Sequence, residues 1–258
     1  MISLIRLYPY TILLIILGCA QVSHKVAHAE ANELIVTRAN YELSYNEEHE
    51  QANWVYYTLE TKQLKNCVKR DDSFKPDPMV VTGSADLEDY RATGYDRGHL
   101  LPAGDMKFEK QAMKDTFYLS NISPQPPAFN RGLWANLENL VRAWALRYSK
   151  VWIVTGPILH KGLSKIGRVN DVSVPEEFYK VIIRKEGSKY KGIGFIMQTS
   201  LPHNFLAGYA VDINTVEKLS GIDFFPFLNG KDEKDAEAVL DFPGWDFKAG
   251  FEYLPCSI

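Results

Sequence analysis

The segment between Tyr95 and Arg142 concentrates residue types that suit the chemistry of phosphodiesters. It contains a histidine, His99, shortly after an arginine, Arg97, and further along an asparagine, Asn130. An imidazole with a pKa of about 6.5 can accept a proton from water at neutral pH. A guanidinium offers a fixed fork of donors to phosphate, and a carboxamide oxygen can bind Mg²⁺. These residues predict a hydrolytic site for a phosphodiester.

Both central residues also have a more ordinary interpretation. A lone histidine is usually a packed or surface side chain, and an asparagine ahead of a helix is often its N-cap. His99 departs from that default because Gly98 permits a tight turn and Arg97 brings positive charge beside it. Asn130 can act as a cap and as a ligand, and the sequence leaves both roles open.

Three runs of sequence carry a resemblance to a known family. They are YDRGHLLPA at 95–103, FYLSNISPQ at 117–125 and FNRGLWANLE at 129–138. The DRGH tetrapeptide alone would be a weak signal, but the three runs in this order and at these distances are specific. Together they resemble the DNA/RNA non-specific endonucleases, a group that includes mitochondrial endonuclease G and secreted bacterial nucleases. The likeness extends from about residue 41 to residue 226.

The resemblance implies a role for each matching residue. His99 corresponds to the general base, and Asn130 to the one protein ligand of a nearly fully hydrated Mg²⁺, for which Mn²⁺ can substitute. Glu138 corresponds to a catalytic carboxylate that touches the water shell of the metal. The remaining matches are residues expected to contact phosphate (Arg70, Arg97 and Arg142, with Arg97 also catalytic) and residues expected to support the site (Asp96 and Asn121).

The implied activity is Mg²⁺-dependent hydrolysis of DNA and RNA without sequence specificity, giving 5′-phosphate products. Water, and not the ribose 2′-hydroxyl, is the nucleophile, so the sugar need not matter. The alternative is a catalytically silent nucleic-acid-binding module on the same scaffold, which the presence of both His99 and Asn130 disfavours. The formal net charge of -3 provides no global attraction to a polyanion, so substrate binding must depend on local charge. The oligomeric state stays open, and a dimer is compatible with the sequence.

The surrounding patterns predict the elements that must position these residues. A proline-rich run at 124–127 predicts an extended loop that leads into Asn130. Apolar residues then recur with helical spacing at Leu133, Leu137, Leu140, Val141 and Trp144. Runs rich in β-branched and aromatic residues predict strands at 54–59, 151–157, 178–184 and 192–199. The predicted fold class is α/β (α+β), to which the resemblance adds a mixed β-sheet flanked by helices and an embedded ββα-metal nuclease motif.

The length and the N-terminal sequence predict a leader followed by one domain. Residues 10–17 (YTILLIIL) form an apolar run too short to span a bilayer, which is typical of a leader occupying residues 1–29. Cleavage after Ala29 and cleavage at 18/19, with Cys19 as a lipidated residue, both fit. Either reading predicts an exported protein that is periplasmic, secreted or an outer-envelope lipoprotein. Residues 30–258 are then a single endonuclease domain.

Cys67 and Cys256 are the two cysteines that remain after the leader. In an oxidising compartment such a pair most often forms a disulfide bond, and a closed loop of this length would stabilise the fold by roughly 4–5 kcal/mol. Two free, buried thiols are the alternative, since sequence alone does not show that the two residues are close.

Overall fold

The computed structural model describes residues 33–200 and 205–256, so the predicted leader and Cys19 lie outside the described residues. In chain order the strands are β1 (Leu34–Thr37), β2 (Tyr41–Asn46), β3 (Gln51–Glu60), β4 (Asp96–His99), β5 (Ile122–Gln125), β6 (Lys150–Pro157), β7 (Lys165–Ile166), β8 (Val172–Ser173), β9 (Glu177–Glu186), β10 (Lys189–Gln198) and β11 (Ala210–Val211). The helices are α1 (Leu87–Tyr90), α2 (Lys110–Asp115), α3 (Pro127–Phe129), α4 (Ala135–Tyr148), α5 (Ile213–Ser220) and α6 (Gly230–Glu237).

A large antiparallel sheet forms the centre of the molecule. Its seven strands lie in the order β1-β2-β3-β6-β9-β10-β11. The long strands β9 and β10 form a hairpin whose two-residue connection begins with Gly187 at φ 60°. Glycine adopts this left-handed conformation without a steric penalty, which is why it suits a tight hairpin connection.

Helices cover both faces of this sheet. On one face α4 packs Leu137, Val141 and Trp144 into a core that includes Ile153 and Ile182 of the sheet. On the opposite face, apolar residues of α5 and α6 pack against Val154, Tyr179 and Val181 (Ile213, Val216 and Ala236). Side chains alternate between the two faces of a strand, so β6 and β9 must be apolar at nearly every position to serve both cores. The predicted α+β class is confirmed.

A hairpin and a helix beside the sheet carry the residues predicted to do chemistry. Strands β4 and β5 pair antiparallel, with Asp96 opposite Gln125 and His99 opposite Ile122. After β5 the chain enters α3 and then a wide helical turn, Asn130–Trp134, that leads into α4. Gly132 departs from helical geometry there (φ -103°, ψ -116°), so the helical path is kinked two residues after Asn130.

The proline-rich run was predicted to be an extended loop, and the structure corrects this. Pro124 lies within β5, where it pairs opposite Arg97. A two-stranded ribbon has an edge on each strand, and an edge position tolerates the missing N–H of proline. Pro127 is the first residue of α3, a position where helices accept proline because that N–H has no intrahelical partner.

The C-terminal segment folds back over α4 and is bonded covalently to the loop after β3. Cys67 and Cys256 form a disulfide bond, which decides between the two predicted states of these cysteines. Trp144 Nε1 donates to the carbonyl of Asp246 at 2.9 Å, and Tyr253 Oη donates to the carbonyl of Gly104 at 3.0 Å. None of the helices in the described part of the chain is long and apolar enough to cross a membrane.

Candidate active site

His99 ends β4 and lies in a pocket built from aromatic rings. The Phe117 ring meets the imidazole edge-on with centroids 4.9 Å apart, and the Phe74 ring lies at 5.5 Å. Only 7% of His99 is exposed, and its Nε2 atom is enclosed with no hydrogen-bond partner among the described residues. The aromatic walls therefore exclude water from one edge of the ring.

This environment keeps the imidazole neutral. Burial lowers the pKa of His99 to about 3, and the positive charges of Arg70 and Arg97 act in the same direction. A neutral imidazole retains a lone pair at physiological pH, which is the state that a general base requires.

The glycine before His99 is required by close packing. A Cβ atom at Gly98 would lie 2.2 Å from Oε1 of Gln125, whose side chain crosses the strand at this point. Gln125 is completely buried, so its side chain cannot swing out to make room. Any larger residue at position 98 would push β4 and β5 apart and displace His99.

Arg97 and Arg70 are held near His99 by stacking on its aromatic walls. The Arg97 guanidinium lies 4.3 Å from the centroid of Phe74, and that of Arg70 lies 5.0 Å from the centroid of Phe117. Arg70 also forms an exposed ion pair with Asp72 at 2.5 Å. Arg97 is exposed and makes no salt bridge within the residues described by the structure. Its donors are thus available to an anion from solution.

Asn130 is tied to β4 through Asp96. Its Nδ2 atom donates to Asp96 Oδ2 at 2.9 Å, and Arg131 donates to both oxygens of the same carboxylate at 2.8 and 2.5 Å. Partial burial favours the neutral acid, but the hydrogen bonds from Arg131 and Asn130 outweigh it and lower the pKa of Asp96. Asn130 has helical backbone angles and its side chain caps no helix, which decides against the N-cap interpretation. With its nitrogen engaged, the amide presents Oδ1 as its remaining polar atom.

Glu138 and Arg142 belong to a buried network on α4. Arg142 Nε donates to Asp105 Oδ1 at 2.6 Å, one of its terminal nitrogens donates to Asn139 Oδ1 at 2.7 Å, and the other reaches Glu138 Oε2 at 3.4 Å. Tyr57 Oη donates to the second oxygen of Asp105 at 3.0 Å. Burial raises the pKa of Glu138 in spite of the charge of Arg142.

These contacts show where two further predicted residues lie. Arg142 was expected to contact phosphate, but it is 5% exposed and its donors are taken by side chains of the protein. Asn121 was expected to support the site, and it does so only through the backbone: it is fully buried, accepts from the Leu101 N–H at 2.9 Å and donates to the carbonyls of Leu101 and Thr116. Its bonds fix the chain immediately after His99.

The structure brings to the site two residues that the sequence motifs do not indicate, Asp105 and Lys180. Asp105 accepts the shortest hydrogen bond of Arg142. Lys180, on β9, is completely buried. Its Nζ atom lies 4.7 Å from the centroid of the Trp134 ring and donates to Thr155 Oγ1 at 3.0 Å. Burial lowers the pKa of Lys180 to about 8, although Glu138 and Asp105 oppose this shift. A lysine within an apolar strand can be noticed in the sequence, but the sequence does not show which residues it contacts.

The oxygen donors at this site suit a metal ion that keeps most of its water. The described residues contain no group of three or more histidine, cysteine or acidic side chains that could form a dedicated metal cage. Asn130 instead offers one carboxamide oxygen, and Glu138 follows it by about two helical turns. Mg²⁺ commonly binds through few protein ligands and retains several waters, so the donor set fits it.

Comparisons with known proteins agree with the site. The family profile described as DNA/RNA non-specific endonuclease matches residues 21–231. The chain is 34% identical over 231 residues to "Nuclease EXOG, mitochondrial" of Danio rerio, covering 83% of this chain and 67% of that protein. It is 37% identical over 206 residues to "Nuclease EXOG, mitochondrial" of Xenopus laevis, covering 74% of this chain and 58% of that protein, so it spans little more than half of that relative's length.

A solved structure shares the fold. The crystal structure titled "Crystal structure of the EndoG/EndoGI complex: Mechanism of EndoG inhibition" aligns with a TM-score of 0.72 and 31% sequence identity, covering 80% of this chain and 89% of that chain. The likeness to EndoG supports the predicted ββα-metal nuclease architecture.

The same comparisons correct the predicted location and then assign the family. An exported protein, whether periplasmic, secreted or in the outer envelope, was expected from residues 1–29, but the relatives in zebrafish and frog are named as mitochondrial nucleases. The long match to the family profile and the extent of the identity to these relatives lead to one assignment. The chain belongs to the DNA/RNA non-specific endonuclease family and is a hydrolase of the endonuclease class.

Proposed function

We propose that this protein is a Mg²⁺-dependent endonuclease that hydrolyses DNA and RNA without sequence specificity, in which His99 is the general base and Asn130 holds the metal. The observation that carries the proposal is a neutral, enclosed imidazole beside Arg97, an arginine that forms no ion pair among the residues that the structure describes. We further propose that residues 30–258 make up one nuclease domain.

His99 takes a proton from the attacking water. Because Nε2 is enclosed, the transfer takes place at Nδ1, on the other side of the ring. A pKa of about 3 makes the free imidazole a weak base. A bound phosphate cancels the charges of Arg97 and Arg70, and this raises the basicity of His99 when the substrate is in place. General-base assistance of this type contributes roughly 10²–10⁴ to the rate.

Arg97 and Arg70 bind the phosphate backbone. Arg97 has donors that no protein carboxylate occupies, and Arg70 can exchange its exposed partner Asp72 for a phosphate at little cost, since exposed ion pairs contribute only about 0–1 kcal/mol. Contacts to phosphate carry no sequence information, which accounts for cleavage without sequence specificity.

Asn130 would hold the metal through its Oδ1 atom, and Glu138 would act on the water molecules bound to that metal. When bound there, Mg²⁺, or Mn²⁺ in its place, neutralises charge on the phosphate and on the leaving 3′ oxygen. Asp96 keeps the Asn130 amide in the orientation that directs its oxygen outward. The ribose 2′-hydroxyl takes no part, so the products from both nucleic acids carry 5′-phosphates.

The proposal is tested with the purified protein, supercoiled plasmid and a uniform single-stranded RNA, each in Mg²⁺ and in excess chelator. We expect both to be cut in Mg²⁺, with 5′-phosphate ends that accept ligation, and neither to be cut in chelator. Binding of both nucleic acids without any strand cleavage in Mg²⁺ or Mn²⁺ would instead show a silent binding module.

A further inference from the structure

We propose that Phe74 is a positioning residue that couples Arg97 to His99, so that one aromatic ring sets both the place of the phosphate-binding arginine and the environment of the base. This inference rests on the proposed function and extends it to a loop residue that touches no reacting atom. The geometry that carries it is the double contact of Phe74, whose ring lies against the imidazole and under the guanidinium.

The two faces of the aromatic pocket repeat the same arrangement. Phe74 lies between His99 and Arg97, with distances of 5.5 Å and 4.3 Å, and Phe117 lies between His99 and Arg70, with distances of 4.9 Å and 5.0 Å. The two phenylalanines pack edge to face on each other at 4.9 Å. Each ring therefore presents a face to a cation and supports the histidine with the rest of its surface.

An aromatic ring and a carboxylate hold an arginine in different ways. An ion pair would orient Arg97 but would also occupy the N–H donors that phosphate needs. The face of Phe74 attracts the guanidinium through its π electrons and leaves those donors in the plane free. This distinguishes Arg97 from Arg142 and Arg131, which form ion pairs with Asp105 and Asp96.

The loop that carries Phe74 is fixed at several points. The Cys67–Cys256 bond joins it to the C-terminal segment. The Lys75 N–H donates to the carbonyl of Phe117 at 3.1 Å, and the Leu119 N–H donates to the carbonyl of Lys75 at 2.9 Å. These backbone hydrogen bonds involve Lys75, the residue after Phe74, and they fix the position of the Phe74 backbone relative to Phe117. A positioning role requires such a fixed support.

The charged groups that face His99 from the surrounding elements are Arg70 and Arg97. If Phe74 loses its aromatic face, Arg97 is free to move into solvent, and its repulsion of a protonated imidazole weakens. Loss of the ring should therefore change two quantities that are measured separately. The affinity for phosphate falls, and the protonation midpoint of His99 moves to higher pH.

The test compares Phe74→Leu, which keeps apolar volume, with Phe74→Tyr, which keeps the ring. We expect Phe74→Leu to raise KM for a short duplex by about five- to tenfold, the range expected for one lost cation–π contact with partial desolvation. The KM of Phe74→Tyr for the same duplex should stay within about twofold of the wild-type value, because tyrosine keeps the aromatic ring. Phe242→Leu is the matched control, since Phe242 is a partly exposed phenylalanine that stacks on Phe247.

A double-mutant cycle identifies the coupling. In an Arg97→Ala background, Phe74→Leu should produce almost no further rise in KM. Fully additive effects in the folded variants would overturn the proposal, because they would show that Phe74 acts on substrate binding independently of Arg97.

An NMR titration of the His99 ring tests the role of Phe74 independently of the proposed nuclease activity. The protonation midpoint of His99 should rise in Phe74→Leu and in Arg97→Ala, and stay at the wild-type value in Phe74→Tyr and Phe242→Leu. This readout needs no catalysis, so it stands even if the protein cleaves nothing. A wild-type midpoint in folded Phe74→Leu would refute the positioning role whatever the activity.

Discussion

Asn130 Nδ2 donates a hydrogen bond to Asp96 Oδ2 over 2.9 Å, and this bond joins the hairpin to the turn that leads into α4. Asp96 begins the strand that His99 ends, so the base and the candidate metal ligand are connected by four residues of strand and one hydrogen bond. The orientation of the Asn130 amide depends on this carboxylate.

Asp96→Ala should weaken the binding of Mg²⁺ at the site without removing the metal ligand. Residues that orient a ligand typically contribute 10–100-fold to metal affinity, so we expect the Mg²⁺ concentration for half-maximal cleavage to rise by about tenfold. Saturating Mg²⁺ should restore most of the rate. A Mg²⁺ titration of plasmid nicking checks this, with the exposed Asp235→Ala as control. An unchanged Mg²⁺ midpoint with a lower maximal rate would contradict the role given to Asp96.

His99 should make the fold less stable in acid. Its pKa is about 3 in the folded protein and about 6.5 in an unfolded chain, so between these values the unfolded state binds more protons. The free energy of unfolding therefore falls as the pH drops below about 6.5, by roughly 2 kcal/mol at pH 5 from this group. Urea unfolding at pH 7 and pH 5 measures the loss. His99→Phe, which cannot be protonated, should lose less stability over this interval, and equal losses in the two proteins would show that the imidazole is not held neutral.

Arg142→Met should destabilise the protein because it leaves the Asp105 carboxylate buried without its cation. Breaking a buried ion pair by removing one partner typically costs about 3–5 kcal/mol. The matched control is Arg147→Met on the same helix, where an exposed pair with Asp246 contributes about 0–1 kcal/mol. Thermal unfolding of the two variants measures the difference. Similar midpoints for both would mean that the Arg142 network contributes nothing to the fold.

The Cys67–Cys256 bond should contribute to stability through the long loop that it closes. Its sequence separation is 189, for which the loop-entropy relation gives about 5 kcal/mol. We expect Cys67→Ser with Cys256→Ser to unfold at a much lower urea concentration than the oxidised wild type. A thiol reductant should bring the wild type to the level of this variant and leave the variant unchanged. Reductant-insensitive unfolding of the wild type would exclude the bond in solution.

Much of this architecture could be read from local patterns. Leu137, Val141 and Trp144 fall on one face of a helix, and the structure buries that face against the sheet as predicted. Such patterns succeed because a helix must bury its apolar stripe somewhere. The strand at Pro124 could not be predicted from the same rules, because whether a proline is tolerated depends on which edge of a strand is left unpaired.

The polar networks could not be read from local patterns. Arg142 and Asp105 are far apart in sequence, and only the fold shows that this arginine is buried in an ion pair. The same holds for Lys180 on β9, whose Nζ lies over the ring of Trp134 in the turn before α4. His99 and Asn130 were singled out from sequence because their motifs resemble a family. Their contacts, of His99 with Phe74 and of Asn130 with Asp96, became clear only in three dimensions.

The central claim is that His99 activates water, and a single-turnover cleavage assay of His99→Ala with saturating Mg²⁺ tests it most directly. The exposed His160→Ala serves as control. We predict that the His99 variant stays folded, binds nucleic acid normally and cleaves about 10²–10⁴-fold more slowly, while His160→Ala cleaves at the wild-type rate. Cleavage by His99→Ala within about threefold of the wild-type rate would contradict the account.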